Sequence, residues 1–144
     1  MSTIRTDARA AAVSLLKAYH DDVMSTLQVY EGRPRSLYPP HAFVDRIRED
    51  AVYPAGVLPQ RTVRVEVVVV HGLFDSGDAV AQADTFGDGF IEWVTADVHA
   101  AGANTTIGVV SIDDEPDFVN DWMPPEKQGV HYATRITLEV YAAG

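Results

Sequence analysis

The stretch of sequence that decides the fold is RTVRVEVVVVH, Arg61–His71. Valine alternates with polar residues from Val63 to Val67, and an unbroken run of valine then continues to Val70. A period of two is typical of a β-strand with one buried face, and a continuous apolar run is typical of a strand covered on both faces. We therefore expect Arg61–His71 to be a central strand of a sheet.

One amphipathic helix is predicted before this strand in the sequence, and another is predicted after it. The first covers about Asp7–Met24 and the second about Asp78–Ala101, because apolar residues recur there at steps of three and four. Segments rich in β-branched and aromatic residues predict further strands at Leu27–Tyr30, Ala42–Val52, Thr105–Ile112 and Val130–Tyr141. This order predicts an α+β fold: a mixed, mostly antiparallel sheet of about four or five strands with two main helices packed on one face.

Two longer segments are predicted to be loops. Glu31–Pro40 contains one glycine and three prolines, and Asp113–Gly129 contains three prolines and six acidic residues. Both compositions oppose regular structure. No repeat or linker divides the chain, so residues 1–144 are expected to form one domain.

Composition excludes several classes of protein. The chain has 144 residues, is 47% hydrophobic and has no cysteine. The lack of cysteine excludes disulfide scaffolds, Cys-based zinc sites and thiol nucleophiles. The apolar runs fall far short of the ~20 residues of a membrane helix, and Asp7 precedes any apolar stretch, so neither a membrane span nor a secretory signal is expected.

The formal net charge of −10 is divided unevenly along the chain. Residues 1–64 hold nine basic and seven acidic residues, and residues 65–144 hold two basic and fourteen acidic residues. An acidic chain is a poor candidate for free nucleic-acid binding, since cationic side chains supply most of that affinity. The asymmetry is compatible with an ordinary solvated surface and equally with a head-to-tail contact in which the Arg-bearing face of one copy meets the acidic face of the next.

One candidate for catalysis is His71-Gly72, at the end of an apolar strand and followed by Asp75. An α/β-hydrolase would also need a serine in a G-x-S-x-G turn, and no such motif occurs. We therefore interpret these residues as a strand end followed by the cap of a helix. The five histidines lack metal-binding spacing, and no catalytic residue, cofactor or metal site is predicted.

The predicted loop 113–129 carries two further candidate features. Asp113, Asp114, Glu115 and Asp117 lack the spacing of a calcium loop and are interpreted as a solvated or interface segment. Trp122 and Met123 lie beside two prolines in polar surroundings, which suggests either a docking surface or packing over the sheet.

Several segments resemble the tail terminator proteins of long-tailed bacteriophages and prophages. They are IRTDARAAAVSLL at 4–16, GRPRS at 32–36, PHAFVD at 40–45, RVEVVVV at 64–70 and YATRITLEV at 132–140. The resemblance lies in the order of elements over nearly the whole chain, not in a catalytic signature. It implies a small α+β subunit of a hexameric ring that caps the tail tube and receives the connector of the head.

The resemblance implies four partners or neighbours: further copies of the chain, the tail tube protein, a head-completion or connector protein, and DNA that passes through the lumen without specific binding. The implied location is the virion tail or neck, after assembly in the host cytoplasm. We expect the subunit and partner interface to include Arg33, Arg35, Leu37, Tyr38, Arg46, Arg48, Asp113, Asp114, Glu115, Asp117, Trp122 and Met123.

Two alternatives stay open. The first is another neck component, such as a head-completion (stopper) protein. The second, from a different class, is a small hydrolase or ligand-binding domain that uses His71 and Asp75.

Overall fold

The computed structural model describes residues 4–35, 40–52, 60–73, 77–96 and 105–142. Its elements are helix α1 (Ile4–Asp22), strand β1 (Gln28–Tyr30), strand β2 (His41–Val52), strand β3 (Gln60–Leu73), helix α2 (Gly77–Ala96), strand β4 (Thr105–Val119) and strand β5 (Val130–Ala142). A single 3-10 turn, Pro125–Lys127, lies between β4 and β5.

These strands form one five-stranded sheet in the order β1-β2-β3-β5-β4. β1 runs parallel to β2, and all the other neighbouring strands are antiparallel. The predicted α+β fold with a mixed, mostly antiparallel sheet is confirmed.

Strand β3 is buried on both faces, as its valine pattern predicts. Val63, Val65, Val67 and Val69 are fully buried in the main core with both helices. Val68 and Val70 point to the opposite face and are fully buried in a second, smaller cluster. The valines of the alternating part therefore point towards the helices. The continuous valine run reflects the part of the strand that is covered on both faces of the sheet.

Both helices pack on the same face of the sheet. α1 contributes Leu15, Leu16 and Tyr19 to the main core, and α2 contributes Phe86 and Phe90. The Tyr19 ring meets the rings of both phenylalanines edge-on, with centroids 5.4 and 5.3 Å away. Aromatic pairs in this geometry are favourable beyond the area they bury.

The predicted apolar stripes are wrong at Val23, Val80 and Ile91, which are exposed. Val23 follows the last residue of α1, and the other two lie at the flanks of α2, outside the arc that the sheet covers. The predicted end of the second helix, residues 97–101, lies outside the described residues.

The predicted loop Asp113–Gly129 is wrong in its first part, because β4 continues to Val119. β5 supplies partners along this stretch, including Asp113 with Arg135 and Phe118 with His131. Backbone pairing outweighs the low strand propensity of acidic residues. Pro116 is tolerated because it lies on an edge strand, between two residues where the pairing register shifts.

Candidate interaction surface

The face of the sheet opposite the helices, called here the open face, carries a cluster of paired charges. Side chains alternate between the two faces along each strand. β2, β3 and β5 thus present Arg46, Glu66 and Arg135 on the open face, while their neighbours Ile47, Val65 and Ile136 point into the helix-covered core.

Arg135 lies at the centre of this surface. Its Nη1 donates to Asp45 Oδ2 at 2.9 Å. Its Nε and Nη2 donate to the two carboxylate oxygens of Glu115 at 2.6 and 3.3 Å, a bidentate arrangement. Glu66 lies 3.8 Å from the same guanidinium.

Two further arginines complete what we call the ionic cluster. Arg33 Nε donates to Asp45 Oδ1 at 2.9 Å, and Arg46 Nε lies 3.9 Å from Glu66 Oε2. The ionic cluster lines an open groove of about 640 Å³ and consists of Arg33, Asp45, Arg46, Glu66, Glu115 and Arg135. Its three positive and three negative side chains balance, so the cluster holds a fixed pattern of charge without a local excess.

The directions of two pKa shifts in the ionic cluster indicate which protonation state of each side chain is stabilised. Burial alone would raise the pKa of Asp45, but the hydrogen bonds and charges of Arg135 and Arg33 outweigh it and keep that pKa below its usual value. Burial would lower the pKa of Arg135, but Glu115 and Asp45 raise it above its ordinary value. Both groups are therefore charged at neutral pH.

An aromatic group adjoins the ionic cluster on the open face. Phe43, Phe118 and Trp122 pack together, with ring centroids 5.4 Å apart for Phe43 and Trp122. Trp122 Nε1 donates to the carbonyl oxygen of Pro34 at 2.9 Å, and the guanidinium of Arg33 lies 5.2 Å from the centre of the Trp122 ring. Trp122 thereby holds the segment that follows β1 over the open face.

A separate polar chain lies on the helix-covered side, near α2. His71 Nε2 and Thr134 Oγ1 are 2.8 Å apart. Thr134 Oγ1 also donates to Asp114 Oδ1 at 3.4 Å, and the Tyr132 hydroxyl donates to Asp114 Oδ2 at 3.3 Å. Burial lowers the pKa of His71 to about 4, although the charge of Asp114 acts to raise it.

The predicted interface residues fall into distinct places. Arg33, Arg46 and Glu115 meet in the ionic cluster, and Trp122 lies beside it. Arg48 and Asp113 occupy the open face on strands β2 and β4, opposite Arg64 and Arg135 respectively. Arg35 and Asp117 are exposed.

Other predicted residues are not part of the open face. Asp114 points to the helix-covered side, and Met123 is buried, with its sulfur accepting a hydrogen bond from Asn120. Leu37, Tyr38 and Asp75 lie outside the described residues. His71 is only 4% exposed and lies against Phe86, so its ring is not presented in an open pocket.

Arg135, Asp45 and Glu66, which hold the ionic cluster together, are not among the residues predicted from the sequence. Arg135 is one of only two basic residues after position 64, inside an apolar strand, and that isolation was a usable signal. No local pattern reports that its partner Asp45 is 90 positions away in the sequence.

Within the described ranges, no group of three His, Asp or Glu side chains is arranged to hold a metal ion. No helix in that part of the chain is long and apolar enough to cross a bilayer. Comparison of the sequence with models of known protein families and with curated proteins gives no match.

Proposed function

We propose that this chain is a structural subunit of a long-tailed bacteriophage, a tail terminator that assembles into a ring on the end of the tail tube. The resemblance of five segments of the sequence to that family suggests the role. The observation that supports it is the open face, where a sheet uncovered by helices presents a fixed pattern of charge beside an aromatic group.

Such a surface suits contact with another protein. Charges that are already held by partners lose little conformational freedom on binding, and Trp122, which is partly exposed, is of a residue type that often anchors protein interfaces. Complementary charge also sets the orientation in which partners meet. The partners in this proposal are further copies of the chain, the tail tube protein and a head-completion or connector protein, with DNA passing through the lumen.

The test is capping of the tail tube. Purified chain is added to polymerising tail tube protein, and tube length is followed by electron microscopy. A terminator should stop growth and appear as a ring at one end of each tube. Tubes that grow to the same length with and without the chain would contradict the proposal. Rings that bind only to isolated connectors would indicate the alternative neck protein.

A further inference from the structure

The two edges of the sheet are both available for pairing with another strand. β4 forms one edge, and among the described residues no strand pairs with its outer side. At the other edge, β1 pairs only with His41–Phe43 of β2, which leaves Arg46–Val52 without a neighbouring strand in the described part of the chain. The unpaired N–H and C=O groups of such edges are templates for strand addition.

The first part of β4 has one of the features that usually protect an edge, a shift of the pairing register, and lacks the others. Thr105–Ile112 contains no charged residue and no proline, and Val110, where the pairing register shifts, is 47% exposed. Charged side chains, proline and a further irregularity are confined to Asp113–Val119. Natural edge strands are normally interrupted by just such features to prevent pairing.

The stretch of β2 that forms this outer edge, residues 46–52, holds two basic and two acidic residues, and the two basic ones share one face. Arg46 and Arg48 are exposed there on the open face. Arg48 lies directly opposite Arg64, and like charges in that position are destabilising. The Nε of Arg64 is buried and has no hydrogen-bond partner among the described atoms. Arg64 faces Glu139 of β5 on its other side, so the positive charge that an incoming carboxylate would meet is that of Arg48 at the edge.

We propose that the outer edge of β2 in one copy pairs with the outer edge of β4 in the next copy, so that successive copies join through one continuous sheet. The proposal rests on the proposed ring, and it names the surface that would close it. Because β2 and β4 run in opposite directions within the sheet, copies related by rotation about an axis along the strands meet in antiparallel orientation.

The charges of the two edges match in this orientation. A register that places Arg48 opposite Asp113 also places Arg46 opposite Glu115, since the two strands run antiparallel. All four side chains lie on the open face. The pairing uses different surfaces on the two copies, so it propagates and forms a ring when the rotation closes.

The experiment reverses charge at each edge separately. Arg48→Glu and Asp113→Lys each place like charges across the proposed contact, and each variant alone should fall to the monomer in native mass spectrometry at about 0.15 M salt, where exposed charges still interact over ~8 Å. A 1:1 mixture of the two variants should regain the wild-type oligomer. In the mixture every contact is again between opposite charges, provided that the copies alternate.

The controls are Lys17→Glu and Asp88→Lys, which reverse charge on exposed helical positions and should leave the oligomer unchanged. Recovery in the mixture shows that both edge variants are folded. The pairing would be overturned by single variants that keep the wild-type mass, by a mixture that stays monomeric, or by a control that dissociates the oligomer. It would also be overturned by a wild-type chain that is monomeric at ~100 μM, a concentration at which contacts far weaker than a specific nM interface are populated.

Failure of this pairing and failure of the proposed function are distinguishable. Tubes that are capped by a ring insensitive to the edge variants would overturn strand pairing and leave the terminator role standing. Oligomers that respond to the variants as expected but do not cap tubes would leave strand pairing standing and contradict the terminator role.

Discussion

Arg135 is the residue on which the open face depends, because three carboxylates converge on its guanidinium. Replacing it with Met keeps most of the side-chain volume but leaves Glu115 without this cation, while Asp45 keeps Arg33 and Glu66 keeps Arg46. Removing one partner of a buried ion pair costs about 3–5 kcal/mol. Because Arg135 is one-fifth exposed, we expect a loss of about 2 kcal/mol in the free energy of unfolding at pH 7.

Urea denaturation of Arg135→Met at several pH values measures this loss. The difference from wild type should shrink below about pH 4, because the pKa of Asp45 is held below its usual value of 3.8 in the folded chain. The stabilising contribution of this carboxylate is lost only as the pH falls below that value. Arg46→Met is the matched control: its guanidinium is exposed and 3.9 Å from Glu66, so the change should stay within about 0.5 kcal/mol. A loss that does not vary with pH would contradict the ionic explanation.

His71 makes a second prediction at this scale, for the pH dependence of stability. Burial lowers its pKa to about 4 in the folded chain, against 6.5 in the unfolded chain. The unfolded chain therefore binds a proton first as the pH falls, and stability is lost between about pH 6.5 and pH 4. A shift of this size is worth about 3 kcal/mol at most.

The His71→Gln variant cannot take up this proton but can still hydrogen-bond to Thr134. We expect its unfolding free energy to be lower than that of wild type at pH 7 and to fall less between pH 6.5 and pH 4. Urea midpoints across this range test the expectation. Two parallel curves would show that His71 does not carry the pH dependence.

At the scale of elements, Trp122 connects two segments that are distant in the sequence. Its indole N–H holds the carbonyl oxygen of Pro34, and its ring packs on Phe43 and Phe118. Trp122→Phe removes the hydrogen bond and should cost about 1 kcal/mol, whereas Trp122→Ala also removes the packing and should cost about 3 kcal/mol.

Limited trypsin digestion after Arg35 provides a local readout of the same variants. Release of the Pro34 contact should expose the segment after β1, so Trp122→Phe should be cleaved faster than wild type. Trp93→Phe, in which the altered ring lies on the helix-covered side, should be cleaved at the wild-type rate. Equal rates for Trp122→Phe and wild type would mean that this hydrogen bond does not hold the segment.

At the scale of the whole molecule, local sequence patterns predicted the elements whose own residues indicate which of their faces are buried. Val63–Val70 alone indicates a central strand, because its period of two and its continuous apolar run both reflect burial on the two faces of the sheet. The second half of β4 was missed because its strand state comes from β5, through pairs such as Asp114 with Thr134. Arg135, Asp45 and Glu66 were missed for the same reason, since their meeting depends on the strand order β2-β3-β5-β4.

The charge distribution of the whole molecule leads to a last prediction, on DNA. The chain carries a formal charge of −10, and on the open face the ionic cluster already pairs its arginines with carboxylates. Affinity for DNA comes largely from cations that replace counterions on the phosphates, and here the excess of 21 acidic over 11 basic residues opposes the approach of phosphates. We expect no binding of a duplex at 0.15 M salt by fluorescence anisotropy, for the monomer and for any oligomer.

A protein that only guides DNA through a channel should show the same result at lower salt. Weak binding driven by phosphate contacts would strengthen steeply as salt is reduced, because fewer counterions compete. A flat response down to about 0.05 M salt therefore supports passage without retention, whereas a steep rise would reveal a cationic surface facing the DNA. Arg135→Met should not alter the flat response, since its guanidinium is bound by Asp45 and Glu115 and is not offered to phosphate.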